Sequence, residues 1–288
     1  MTTVDDLLNL LILDKIDDST FNGVSKTIGS PIVFGGQVLA QAINAAARTI
    51  GNGRVLHSMH SYFLEAGDLN QSITYNVNKV RDGGSFSVRR VTAHQKERTI
   101  FILSASFHKK EEGYEHQIEM KTDVKQPEDL LSWTDMRNEF GEALPKGLKA
   151  FLEVKRPVEF KPTRITNPLE PKDLPPNHSV WFRLKGDVKG LDLATNQQIL
   201  TYISDYNILV PVLNPHASVA NWENTQTASL DHSMWYYRDF DFSDWLLYSM
   251  ESPSASKARG FARGNIFTRK GKLIASVAQE GLVRPVKK

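Results

Sequence analysis

The sequence predicts an α+β protein of two similar halves, each a long helix followed by an antiparallel sheet able to wrap it. Three observations carry that prediction. The run Phe34-Gly-Gly-Gln-Val-Leu-Ala-Gln-Ala-Ile-Asn-Ala-Ala-Ala-Arg48 keeps apolar residues at helical spacing through Val38, Leu39, Ala42, Ile43 and Ala46. Four strand-like runs follow it: Leu56 to Leu64, Ser72 to Val80, Ser85 to Gln95 and Thr99 to His108. The order helix, strand, then three strands returns in the second half, where Arg89 and Ala105 recur as Arg259 and Ala275, both 170 positions on.

Taken in chain order, Val4 to Leu13 reads as a short helix. Phe34 to Arg48 is entered through a glycine pair, and its small side chains would let it lie close against a sheet. Asp82-Gly83-Gly84 and Gln95 to Arg98 read as hairpin turns between the strands. From Lys109 to about Ala150 the chain is acidic, polar and irregular, which reads as a linker with short helices. The predicted organisation is therefore a first domain over 1–110, a linker over 111–150 and a second domain over 151–288. In the second half, Ile199, Ile203, Tyr206 and Val210 mark an amphipathic helix over Asn196 to Val210, and His60-Ser61 has a counterpart in His232-Ser233.

Composition narrows the function classes. The 288 residues carry 35 Lys and Arg against 33 Asp and Glu, a net charge of +2, too balanced to argue for nucleic acid or a membrane surface. With no cysteine, disulfides, a thiol nucleophile and thiolate metal sites are excluded, and a reducing compartment is expected. No apolar run approaches the roughly 18 residues of a membrane span, the first residues lack a signal-peptide pattern, and the last, Arg284-Pro-Val-Lys-Lys288, are not a Ser-Lys-Leu address. These observations predict a cytoplasmic protein.

Three polar residues sit on otherwise apolar faces of separate elements. Asp205 lies beside the helical stripe, Ser229 stands in the strand-like run Gln226 to Trp235, and Gln279 continues the face of Leu273, Ala275 and Val277. A carboxylate, a hydroxyl and an amide can converge on one water, and of the three only the carboxylate accepts a proton near neutral pH. Asp231, on the side of Ser229, is the substitute carboxylate. His57 and His60, three apart on a strand, point to opposite faces unless a bulge intervenes, so at most one enters a site; His57 is carried as a substrate-side candidate. Arg89, Arg90, Lys257, Arg259 and Arg263 are cations suited to phosphate oxygens. No His, Asp and Glu cluster has metal-ligand spacing, so no metal or other cofactor is expected.

A long helix and a wrapping sheet, occurring twice, is the pattern of a double hotdog. Val33-Phe-Gly-Gly-Gln-Val-Leu-Ala-Gln-Ala42, His57-Ser-Met-His-Ser-Tyr-Phe-Leu64, Arg81-Asp-Gly-Gly-Ser-Phe86, Leu230-Asp-His-Ser-Met-Trp235 and Glu251-Ser-Pro-Ser-Ala-Ser-Lys-Ala-Arg-Gly260 resemble the acyl-CoA thioesterase II family, over about Leu7 to Arg284. The resemblance implies hydrolysis of medium- to long-chain acyl-CoA, with Asp205, Ser229 and Gln279 binding the nucleophilic water. It also implies carbonyl polarisation by a backbone amide at Gly35 or Gly36, and a homodimer or homotetramer. Two other readings stand beside it: a catalytically silent acyl-CoA-binding protein, and a hotdog enoyl-CoA hydratase. The hydratase signature is faintly echoed by Asn214-Pro-His216 without its preceding Gly-Asp.

Overall fold

A computed structural model describes residues 2–51, 53–121, 123–164, 170–186, 188–221 and 224–286; Lys287 and Lys288 lie outside the described residues. The first half contains α1 (Val4–Leu11), β1 (Asp14–Lys15), β2 (Thr20–Gly23), α2 (Gly35–Ala47), β3 (Arg54–Phe63), β4 (Ile73–Asp82), β5 (Phe86–Gln95) and β6 (Arg98–Lys109). Two short helices follow, α3 (Trp133–Phe140) and α4 (Lys146–Glu153). The second half contains β7 (Val158–Pro162), β8 (Asn177–Leu184), α5 (Leu193–Ser204), α6 (Val210–Leu213), β9 (Thr225–Ser229), β10 (Asp231–Tyr236), β11 (Leu246–Ser256), β12 (Arg259–Thr268) and β13 (Leu273–Pro285).

Among the described residues, these strands form one antiparallel sheet in the order β1-β2-β4-β5-β6-β3-β10-β13-β12-β11-β8-β7, with β9 pairing β13. The order β2-β4-β5-β6-β3 of the first half is mirrored by β8-β11-β12-β13-β10 in the second, and the halves meet where β3 runs antiparallel to β10. At that seam the two His-Ser pairs oppose each other, His60 against Ser233 and Ser61 against His232. Each half thus repeats a helix wrapped by a sheet, the double-hotdog arrangement. The two helices pack on each other inside, with Asn44 Nδ2 on α2 donating to Gln198 Oε1 on α5 at 3.0 Å.

Alanine-rich α2 is buried along most of its length because small side chains let it approach both the sheet and α5. Its first residue follows Phe34, which makes no side-chain cap, so α2 begins with backbone N–H groups in need of an outside acceptor. The expected helix over Asn196 to Val210 is in fact two. It stops at Ser204, Asn207 adopts φ +67°, and α6 resumes with Pro211 in its first turn. A left-handed residue ends an α-helix, and a proline suits the start of the next one.

The repeat of 170 residues holds for strand order but not for faces. Ala105 and Ala275 both point inward, whereas Arg89 is buried and Arg259 exposed; likewise His60 is exposed and His232 buried. Arg89 lies opposite Ala105 on the neighbouring strand, whereas Arg259 lies opposite Leu282 and not Ala275, so positions 170 apart are not equivalent in the two hairpins. Among the described residues between β6 and Gln126 no helix or strand forms, yet this region is docked on the outer face of the second half. There Trp181 Nε1 donates to Lys125 O at 2.9 Å, and Met120 and Val124 pack on a cluster of Leu130, Trp181, Trp245, Leu247, Phe267 and Leu273.

The seam is closed inside by Met59 opposite Met234, both with 0 % exposure. Met234→Ala is expected to lower the unfolding free energy by about 2–5 kcal/mol, the usual range for removing a buried methionine side chain. Urea denaturation measures this, and a loss under 1 kcal/mol would mean that the seam repacks.

Candidate functional site

The helix packing brings the C-terminal end of α5 to the N-terminal end of α2. Asp205, the C-cap of α5, accepts a hydrogen bond from Gly36 N at Oδ2, 2.8 Å, and from Ser229 Oγ at Oδ1, 3.1 Å. Gln279 Nε2 donates to the same Ser229 Oγ at 2.9 Å, so a helix cap, the last residue of β9 and an inward residue of β13 meet at one place. Gln279 is fully buried on the inward face of Ala275 and Val277, as alternation requires, but Leu273 belongs to the outer cluster because a one-residue register shift opposite Ile266 and Phe267 exchanges its face, and β13 runs on past Gln279 to Pro285. The run Gln226 to Trp235 is not one strand. It breaks at Leu230, whose N–H donates to Glu280 O, and this break aims Ser229 at Asp205 while sending Asp231 elsewhere.

Both glycines at the start of α2 are needed for this approach. A Cβ on Gly35 would stand 2.7 Å from Asp205 Oδ2, and one on Gly36 would stand 2.4 Å from the Tyr202 carbonyl oxygen and 2.5 Å from the Phe34 ring. Asp205 retains partial exposure as a residue, while its carboxyl lies deep among protein atoms. Burial raises its pKa, opposed by the nearby His232 and by the hydrogen bonds from Ser229, Gly36 and Gln279. Burial lowers the His232 pKa, opposed by the nearby Asp205 carboxylate and by the contact with Gln279. Beside the site, Phe34, Tyr202, Tyr206, Phe160 and Trp133 form an aromatic cluster, and burial pushes Tyr206 up to about 12.

Comparison with known proteins identifies the family of the chain. Residues 148–282 match the family model for acyl-CoA thioesterase, and residues 23–108 match that for the acyl-CoA thioesterase N-terminal domain. "Acyl-CoA thioesterase 2" of Haemophilus influenzae is 39% identical over 281 residues, 98% of either chain. The chain belongs to the acyl-CoA thioesterase family. A crystal structure of acyl-CoA thioesterase II from Mycobacterium marinum is similar, with a TM-score of 0.78 at 32% identity, covering 96% of this chain and 97% of that one. A hot dog fold protein from Alicyclobacillus acidocaldarius shares the fold, with a TM-score of 0.75 at 16% identity over all of both chains.

The other candidates are dispersed. His57 stays on the outer face of β3, 2.8 Å from Ser106 Oγ and packed on Phe86 and His108. His60 faces the same way, 3.1 Å from Ser233 Oγ, because a register shift between Leu56 and Ser58 supplies the bulge that strict alternation lacks. Neither meets Asp205. Asp231 accepts from Glu280 N at 2.7 Å, a backbone role. Asn214-Pro-His216 forms a 3-10 turn tied to Asn177 O through Asn214 Nδ2, apart from the three converging residues. Among the described residues no group of three His, Asp or Glu could hold a metal.

Arg89 is 1% exposed and bonds Asp82 and Thr49, which removes it from the surface where a coenzyme A phosphate would bind. Arg90 is exposed on β5. Lys257 sits in the β11–β12 turn with φ +49°, and Arg259 and Arg263 pair with Glu280 and Glu251 on the outer face of β12. The contact of His232 with Gln279 was not foreseen from the sequence; its position on a strand with Met234 and Tyr236 was the available signal.

Gly36→Ala is expected to displace the first turn of α2 and break the contact to Asp205, lowering kcat at least tenfold and reducing the melting temperature. Wild-type turnover in that variant would show that the helix start is not needed at the site. Arg89→Met is expected to cost about 1–3 kcal/mol of stability through its lost hydrogen bonds, with KM for acyl-CoA unchanged. A raised KM at full stability would restore Arg89 as a coenzyme A contact.

Proposed function

We propose that the protein hydrolyses medium- to long-chain fatty acyl-CoA to free fatty acid and coenzyme A by direct attack of a water held by Asp205, Ser229 and Gln279. Its activity as an acyl-CoA thioester hydrolase follows from its family; the chain-length range and the roles are our reading. The observation that carries it is the convergence of one proton acceptor and two hydrogen-bonding side chains from three elements at a helix N-terminus. Asp205 takes the proton of the water, and Ser229 and Gln279 orient its attack. Since the Gly36 N–H is turned to the carboxylate, polarisation of the thioester carbonyl falls to Gly35, whose N–H has no acceptor within the helix. Ser229 ends a plain strand without a Gly-x-Ser-x-Gly elbow and its hydroxyl donates to Asp205, so we read it as a ligand of the water rather than an acyl-accepting nucleophile.

The cations left on the surface as coenzyme A contacts are Arg90, Lys257, Arg259 and Arg263. We also take the protein to be cytoplasmic and to act as a homodimer or homotetramer, which cell fractionation and sedimentation test. No helix among the described residues is long and apolar enough to cross a membrane.

Asp205→Asn is expected to lose about 10²–10⁴-fold in kcat while still binding acyl-CoA, measured as free thiol released; half the wild-type kcat would remove Asp205 from the role. Because Asp205 works deprotonated and burial raises its pKa, activity should rise with pH along an acid limb above the ordinary carboxylate value of 3.8. Ser229→Ala deletes a donor that lowers this pKa, so its limb should move to higher pH as well as its kcat falling; a limb that stays in place would assign the titration to another group.

A further inference from the structure

Strand alternation turns His232 inward, where it has 0% exposure. Its Nδ1 lies 2.5 Å from Gln279 Oε1, and its Nε2 lies 2.9 Å from the hydroxyl of Ser204, the residue before Asp205. Ser61 Oγ holds the backbone of His232 by donating to its carbonyl at 2.8 Å. The imidazole thus stands behind Gln279, joins β13 to the end of α5, and touches none of the groups assigned to the water other than that amide.

The two ends of a glutamine amide have nearly the same size and shape, so hydrogen bonds alone decide which end faces which way. Ser229 has one proton, and an ionised Asp205 can only accept it. The remaining contact of Ser229 must therefore be one it accepts, which requires the NH₂ of Gln279 and turns Oε1 toward the imidazole. A bare Nδ1 would repel that oxygen, whereas a protonated Nδ1 holds it. Neutral imidazole with the proton on Nδ1, and imidazolium, both meet the requirement.

We infer that His232 is the positioning residue that fixes the Gln279 amide through Nδ1–H, and through it the direction of the Ser229 hydroxyl toward Asp205. The inference rests on the proposed roles of Asp205, Ser229 and Gln279.

The test compares Asp205→Asn, His232→Asn, His232→Gln and His232→Leu by steady-state hydrolysis of a medium-chain acyl-CoA and by thermal melting. An asparagine amide nitrogen can take the place of Nδ1, while a glutamine reaches instead toward the place of Nε2. The expected result is a kcat within about fivefold of wild type for Asn. For Gln and Leu, losses of roughly 10–10²-fold are expected, the scale of one hydrogen bond of about 1–3 kcal/mol, with KM unchanged throughout. A His232→Leu enzyme with wild-type kcat, or rescue by Gln equal to rescue by Asn, overturns the inference while leaving the roles of the other three intact. An active Asp205→Asn enzyme fails the underlying reading instead, and the inference with it.

Should the His232 variants not fold, long-range ¹H–¹⁵N spectra of the histidine-labelled wild type decide. One imidazole protonated on Nδ1 should shift in Gln279→Ala. A histidine that responds to that substitution with its proton on Nε2 alone, or no histidine that responds, overturns the inference.

Discussion

The contact between the Gly36 N–H and the Asp205 carboxylate is the constraint from which the rest of the site follows. Helix α2 starts without a cap of its own, and α5, packed against it, ends in a carboxylate. A negative charge at a helix N-terminus is favourable by about 0.3–1 kcal/mol, up to about 2 in partly buried settings. That gain is small beside the cost of burying a charge, and the direction of the Asp205 pKa reflects this: desolvation outweighs the hydrogen-bond donors and the nearby imidazole. The result is a carboxylate that is held in place yet more basic than one in water, as a proton acceptor must be.

The glycines follow from the same contact. Any side chain at Gly35 would meet the carboxylate, and any at Gly36 would meet the backbone of α5. Conformational freedom is not the reason for either residue, since both are helical; space is. The break at Leu230 then lets β9 end at Ser229 beside Asp205 while β10 continues along the seam with His232 inward.

The mirrored halves supply two helix ends, and among the described residues one of them forms such a constellation. Where α5 closes with Asp205, α2 closes with Arg48, whose guanidinium donates to Leu13 O and lies over the ring of Phe21. The two halves share strand order while differing in what caps their helices, a carboxylate that meets Gly36 and Ser229 in one and a guanidinium that meets Leu13 and Phe21 in the other.

The sequence by itself determined what depends on local periodicity and on residue type. The helix at Gly35–Ala47, the four strands that follow it, the inward face of Gln279 and the lack of a thiol nucleophile were all legible, because alternation and helical spacing are recorded residue by residue. Asp205, Ser229 and Gln279 were legible as candidates through resemblance and as polar residues on apolar faces. Only the tertiary structure decided that Gly36 would bond the carboxylate, that Arg89 would be interior, that His57 and His60 would share the outer face, and that His232 would reach Gln279. Apart from Arg89, which lies inward by plain alternation with Ser87, Val91 and Ala93, each of these depends on a bulge, a strand break or a helix crossing. A shift of one residue exchanges the faces of a strand, and neither that shift nor the meeting of α2 with α5 is written in the spacing of any single element.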